Sequence, residues 1–164
     1  MFPLFQAAKD VYDILLKRFR KEKDVWIHFA IFCYKNSFLE QGRELIEKAV
    51  QVIDKKNHVT LVSKIAQLEF KYGDTQRGTT IFENIISNYP RRTDLWSIYI
   101  DMAMSLDDKE QIRHLFQRVT NLRLSSRKMK FFYKRYLDFE EKSGDQESQE
   151  AVREKAKQYV NELG

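Results

Sequence analysis

The 164-residue chain has little of what interrupts or cross-links a fold: one cysteine (Cys33), two prolines and five glycines. A single cysteine excludes an internal disulfide framework and any zinc site built from several thiolates. The lack of disulfides fits a reducing compartment. So little glycine and proline excludes collagen-like and linker-like stretches. No apolar run comes near the eighteen or so residues of a membrane span. Met1-Phe2-Pro3-Leu4-Phe5 lacks the basic flank and long apolar core of a secretory signal. No His-Glu-x-x-His, glycine-rich phosphate loop or Gly-x-Ser-x-Gly occurs. His28, His58 and His114 are too far apart for any two to share a helical turn. No nucleophile–base pair stands out, so no catalytic residue, metal, cofactor or small-molecule substrate is expected.

What is present is helix-forming. Glu, Lys, Gln and Leu are frequent, and the aromatic share of 13% is enough for a substantial core. The net charge of +5 is unevenly spread. Residues 138–164 hold eight acidic against four basic side chains, which leaves the rest of the chain strongly basic. That balance is compatible with an acidic partner, RNA included, and also with an ordinary solvated helical surface.

The chain repeats itself. Trp26, Val62, Trp96 and Tyr133 are separated by 36, 34 and 37 residues. Three residues after these anchors come Phe29, Ile65, Tyr99 and Tyr136. Four after come Ala30, Ala66, Ile100 and Leu137, and six after come Phe32, Leu68, Met102 and Phe139. These offsets trace one buried stripe on a helix. Nineteen residues beyond each anchor a second series begins: Leu45, Ile81, Leu115 and Val152, followed four later by Ala49, Ile85, Val119 and Ala156. Val11 and Leu15 stand one period earlier in the same register. Cys33 lies near the stripe and reads as a small apolar filler.

Turn residues separate the paired helices: Asn36-Ser37, Gly73-Asp74, Asp107-Asp108 and Gly144-Asp145. Gly or Asn there is expected to take the left-handed backbone that ends a helix. Thr93-Asp94 and Ser125-Ser126 are expected N-caps. The period therefore predicts an all-α, right-handed superhelical solenoid of antiparallel helix pairs with about nine helices. It would be one repeat domain, 1–164, with a half unit over 1–23 and full units over 24–56, 57–92, 93–124 and 125–164. The half unit lacks its partner helix. Phe2, Leu4 and Phe5 would cover part of that end, or the chain would be the C-terminal fragment of a longer array, which is the reading preferred here.

The period and the aromatic positions resemble the half-a-tetratricopeptide (HAT) family and, less fully, the tetratricopeptide family. Trp26-x-x-Phe29, Trp96-x-x-Tyr99, Tyr133-x-x-Tyr136, Glu69, Glu140 and Ile81-Phe82-Glu83 fit the HAT pattern, while Val62 and Ile65 depart from it. Ile65–Phe70, Ile81–Asn84, Tyr89–Met102 and Met129–Asp138 are similar to the C-terminal region of the ribosomal RNA processing protein five family, called programmed cell death protein eleven in animals. The likeness runs through surface residues such as Arg91-Arg92-Thr93-Asp94, which the repeat does not dictate. It implies a nucleolar pre-ribosome assembly factor with S1 RNA-binding domains elsewhere in its chain. The segment here would be a non-catalytic scaffold whose partners are other ribosome assembly factors, with pre-ribosomal RNA reached through the parent protein. Self-association is compatible with the family, although no residue demands it. The alternatives are a direct RNA binder and a HAT scaffold of messenger RNA splicing or 3′-end processing.

The candidate contact surface is basic. Lys64 and Arg135 share one repeat offset with His28; Lys35 and Lys71 share another with Lys142. Arg127, Lys128, Lys130 and Lys134 lie on the first helix of the last unit. Repeated positions stack side by side, so these side chains are expected to form basic stripes for an acidic peptide or phosphates. Lys17-Arg18-Phe19-Arg20-Lys21 closes the first helix, where cations favour a helix C-terminus. Phe131, Phe132, Tyr133 and Tyr136 cannot all face inward, so one is expected at the surface.

Overall fold

The computed structural model describes residues 2–164, apart from the side chain of Phe2. Among the described residues there are nine α-helices and no strand: α1 (Phe2–Arg18), α2 (Lys23–Lys35), α3 (Leu39–Val52), α4 (His58–Tyr72), α5 (Thr75–Asn88), α6 (Thr93–Ser105), α7 (Lys109–Thr120), α8 (Ser126–Ser143) and α9 (Gln146–Leu163), with a short 3-10 turn at Lys55–Asn57. The all-α, helix-pair architecture expected from the period is the one observed. The chain forms two compact bodies, one ending at Asn88 and the other beginning at Tyr89.

In the first body, short turns fold α2 against α3 and α4 against α5, so each pair is antiparallel. Trp26, Ile27, Ala30 and Tyr34 of α2 meet Ile46 and Ala49 of α3 and Leu61, Ile65 and Leu68 of α4 in one core. Of the anchors here, Trp26 is buried and Val62 half-buried. Phe5, Tyr12 and Leu16 of α1 pack on Phe29, Cys33 and Phe38, with Tyr12 stacked on Phe29 at 4.5 Å between ring centroids. The other side of α1 is open: Leu4, Val11 and Ile14 are 52%, 57% and 68% exposed. Ala49, one period after Leu15, is fully buried because its paired first helix covers it. Of the three residues expected to cover this end, Leu4 is exposed, Phe5 turns inward, and the Phe2 side chain lies outside the described residues.

In the second body α6 pairs with α7 and α8 with α9, and α7 packs on α8. Tyr99, Ile100, Leu115, Phe116, Val119 and Phe132 are fully buried. Phe116 stacks on Tyr136 at 4.9 Å with ring planes 6° apart. Burying a large apolar side chain contributes about 1.5–3 kcal/mol, whereas a solvent-screened helical ion pair such as Lys9–Asp13 contributes far less. The aromatic stripe therefore carries most of the stability.

The two tryptophans do the same second job one period pair apart. Trp26 Nε1 donates to the Arg20 carbonyl at 2.8 Å, and Trp96 Nε1 donates to the Pro90 carbonyl at 2.8 Å. Each indole thus pins its helix to the turn just before it, and each indole N–H has an acceptor.

The turns differ from expectation in one respect. Gly73 and Gly144 keep negative φ, −117° and −101°; Ser37 (φ 65°) and Asp107 (φ 53°) take the left-handed backbone instead. Glycine is needed at 73 and 144 for room. A Cβ there would collide with Oε2 of Glu69 or of Glu140, the buried carboxylate of the preceding helix. Where that preceding position is small, as at Cys33 and Ala103, the backbone can curl left-handed and donate Phe38 N–H and Asp108 N–H back to those residues' carbonyls at 2.8 and 3.3 Å. Ser125 caps α8 as expected, accepting from the Lys128 N–H. Thr93 is already inside α6, the cap position is Arg92, and Asp94 pairs with the Arg92 guanidinium.

Candidate interaction face

The first helix of each pair turns one side to the core and the other to solvent. In the first body His28 and Lys35 lie seven residues apart on α2, and Lys64 and Lys71 seven apart on α4. Seven residues is nearly two turns, so each pair shares a face. All four side chains are exposed, and α2 packs beside α4. Lys35, Lys64 and Lys71 each lie on the solvent side of their own helix. None of the three lysines has an ion-pair partner among the described residues.

In the second body these positions are less basic. The matching positions on α6 are Ile98 and Ser105, which carry no charge. On α8, Arg135 Nη2 donates to Asp101 Oδ1 at 2.5 Å and sits over the Phe131 ring at 5.9 Å. Its charge is largely answered within the body. Sequence reasoning missed Asp101; the signal was an acid on the preceding first helix, 34 residues before Arg135. Arg127, Lys128, Lys130 and Lys134 of α8 are exposed and have no ion-pair partner among the described residues. Of the four neighbouring aromatics on α8, Phe132, Tyr133 and Tyr136 are buried and Phe131 is 49% exposed.

The basic run that closes α1 has a local use. Lys21 Nζ donates to the Val52 carbonyl at 3.0 Å, at the C-terminal end of α3. Arg91, at the same repeat position, donates from Nη2 to the Arg123 carbonyl at 2.8 Å just past α7. Lys21 thus satisfies a carbonyl at a helix end, and Arg91 one in the loop that follows α7.

The chemistry on offer is attraction of anions. Burial pushes the Cys33 thiol up to about 11, which keeps it protonated and unreactive. His58 hydrogen-bonds the Ile53 carbonyl at 2.7 Å, while His28 and His114 are exposed on separate bodies. Lys155 lies beside the Thr120 hydroxyl (3.1 Å), and burial lowers its pKa. Among the described residues no three His, Cys, Asp or Glu side chains are grouped to hold a metal ion. Nor is any described helix long and apolar enough to cross a membrane.

Comparison with known proteins places these features. The human "Protein RRP5 homolog" is 44% identical over 156 residues, 95% of this chain and 8% of that protein. The "rRNA biogenesis protein rrp5" of Schizosaccharomyces pombe is 43% identical over 155 residues, 94% of this chain and 9% of that protein. A more distant match, the "Pre-mRNA-splicing factor clf-1" of Neurospora crassa, is 26% identical over 153 residues. The chain thus spans a tenth or less of the length of its RRP5 relatives. Residues 5–163 match the family described as Suppressor of forked protein (Suf), whose HAT repeats are helix pairs of the kind seen in both bodies, and the chain belongs to that family.

Proposed function

We propose that this chain is a non-catalytic docking module of a ribosomal RNA biogenesis factor, acting in the nucleolus and holding other ribosome assembly factors by surface complementarity. One observation carries the reading. Identity to the human RRP5 homolog is 44% over nearly the whole chain, against 26% for a splicing factor matched over a similar span. The shared HAT pattern fixes the buried stripe, so the additional identity extends to residues that the stripe does not dictate. Rigid paired helices with exposed, unpaired lysines offer a surface to bind with and no organised reactive group. The array would be continuous over 1–164, with each hairpin contributing one strip of surface.

The test is recovery of bound proteins from nuclear extract with the purified chain, beside a Lys64→Glu, Lys71→Glu variant. Ribosome assembly factors should be recovered by the wild type and depleted with the variant. Recovery of splicing factors instead would support the distant relatives' role and overturn this one.

A second reading, direct RNA binding, draws on the unpaired cations of α2, α4 and α8. Its measure is a salt titration with unstructured RNA. A steep loss of affinity with salt would support it, and weak binding even at low salt would remove it.

A further inference from the structure

On a helix surface the neighbours of a residue are those three and four positions away. Around Phe131 these are Arg127, Lys128, Lys134 and Arg135, all basic. An exposed phenylalanine ringed by four cations is not required by the fold. The same repeat position is Asp24 in the first full unit, Thr60 in the second and Asp94 in the third, all polar and exposed. Lys134, conversely, stands where the earlier units place Ile27, Ser63 and Ser97, which are buried or half-buried. Here α8 is charged where the other first helices are packed.

Beside this ring lies a hollow of about 540 Å³ between the N-terminal halves of α6 and α8, walled by Phe131 and Phe132 and edged by Thr93, Ser97, Arg127 and Lys128. It is large enough for one or two apolar side chains. Phe132 meets the Phe131 ring edge-on at 5.1 Å, and Arg135 lies over it. The ring is therefore held as a wall of the hollow rather than free as a platform for a base. Asp94 at the rim is already matched by Arg92, through two hydrogen bonds of 2.9 and 2.7 Å. Asp101 is matched by Arg135. On this part of α8, Arg127, Lys128, Lys130 and Lys134 have no ion-pair partner among the described residues.

We infer that this hollow is a docking site for an acidic peptide segment that seats one apolar side chain against Phe131 and sets its carboxylates against Arg127, Lys128, Lys130 and Lys134. The inference rests on the docking-module reading and gives it a place and a partner chemistry. Apolar seating supplies affinity, and the cations supply encounter rate and discrimination against basic or neutral segments.

The test uses fluorescence anisotropy on the purified chain. The probes are a short labelled peptide of glutamates and aspartates around a single phenylalanine, the same peptide with alanine in that place, and labelled oligouridine. Binding of the phenylalanine peptide should weaken about tenfold with the alanine peptide, with Phe131→Ala, and with the Lys128→Glu, Lys134→Glu pair, as expected for a hot-spot anchor. Phe131 is half exposed, so its alanine variant should keep the wild-type thermal midpoint. Equal binding by Phe131→Ala, no binding by the wild type, or oligouridine binding that depends on Phe131 would each overturn the inference, the last in favour of an RNA surface. Failure of the wider reading looks different: the wild-type chain would then recover no assembly factors from extract, whatever the peptide does. If Phe131→Ala recovers the same factors as the wild type, the hollow falls and the module stands.

Discussion

Arg43 grips the wholly buried carboxylate of Glu69 with two parallel hydrogen bonds, Nε to Oε1 at 2.8 Å and Nη2 to Oε2 at 3.0 Å. Arg113 and Glu140 repeat the arrangement at 2.7 and 3.2 Å. In both cases the arginine sits in the first half of a second helix, and the glutamate on the first helix of the next pair. The clamp joins the two hairpins within each body. At the register positions that would make a third clamp stand Thr79 and Ala103, which carry no charge. Around Glu69 stand also the Tyr34 hydroxyl at 2.7 Å, the Asp74 N–H at 2.9 Å and, farther off, Arg77 Nε at 3.6 Å.

Arg43→Ala should destabilise the first body by about 2 kcal/mol, because the buried carboxylate loses its two charged hydrogen bonds and keeps only the half-exposed Arg77 guanidinium, 3.6 Å away. Arg113→Ala should do likewise for the second. Urea unfolding followed by circular dichroism measures both. A loss of less than about 0.5 kcal/mol, the worth of a surface pair, would show that the clamp does not hold the hairpins.

The clamp also sets a pH dependence. Burial by itself pushes the Glu69 pKa up, but hydrogen bonds from Arg43, the Asp74 N–H and Tyr34, with the Arg43 charge, outweigh it and hold the carboxyl at about 2, below its ordinary 4.5. In the unfolded chain Glu69 regains the ordinary value. Its contribution is therefore complete above 4.5 and is lost as pH falls from there toward 2, where only the unfolded state takes up the proton. Thermal midpoints across that window should fall less steeply for Glu69→Gln than for the wild type. Parallel slopes would mean that other carboxylates govern the acid limit.

Gly78→Ala should destabilise despite the better helix propensity of alanine. A Cβ at 78 would stand 2.6 Å from Phe70 Cδ2 and 3.0 Å from the Ala66 carbonyl oxygen. Overpacking of that kind costs about 1–3 kcal/mol, against a propensity gain of about 1. Thr80→Ala, two residues on and exposed, is the control and should change stability little. A stabilised Gly78→Ala protein would show that α4 and α5 can separate freely.

The repeat was legible because a buried stripe demands apolar residues at fixed spacings. Trp26, Trp96 and Tyr133 sit where that rule puts them, all buried. Val11 and Leu15 obey the same rule and yet are exposed, since register says which face wants a partner and not whether one is there. The candidate face was only partly legible. Lys35, Lys64 and Lys71 are exposed, as their offsets suggest, but the ion pair of Arg135 was not legible, because its counter-ion Asp101 lies 34 residues away in sequence. Glu69 and Glu140 matched a family pattern without revealing their burial. A charge seven residues after the anchor, on the apolar stripe, was the visible hint.

The sequence alone determined the helices, their pairing and the rings that fill the core, since helical periodicity is local and each residue's share of it can be counted along the chain. Only the tertiary structure decided which charges are spent inward and which face solvent. A carboxylate's fate depends on whether a guanidinium from another hairpin arrives within about 3 Å, and that distance is set by packing rather than by spacing.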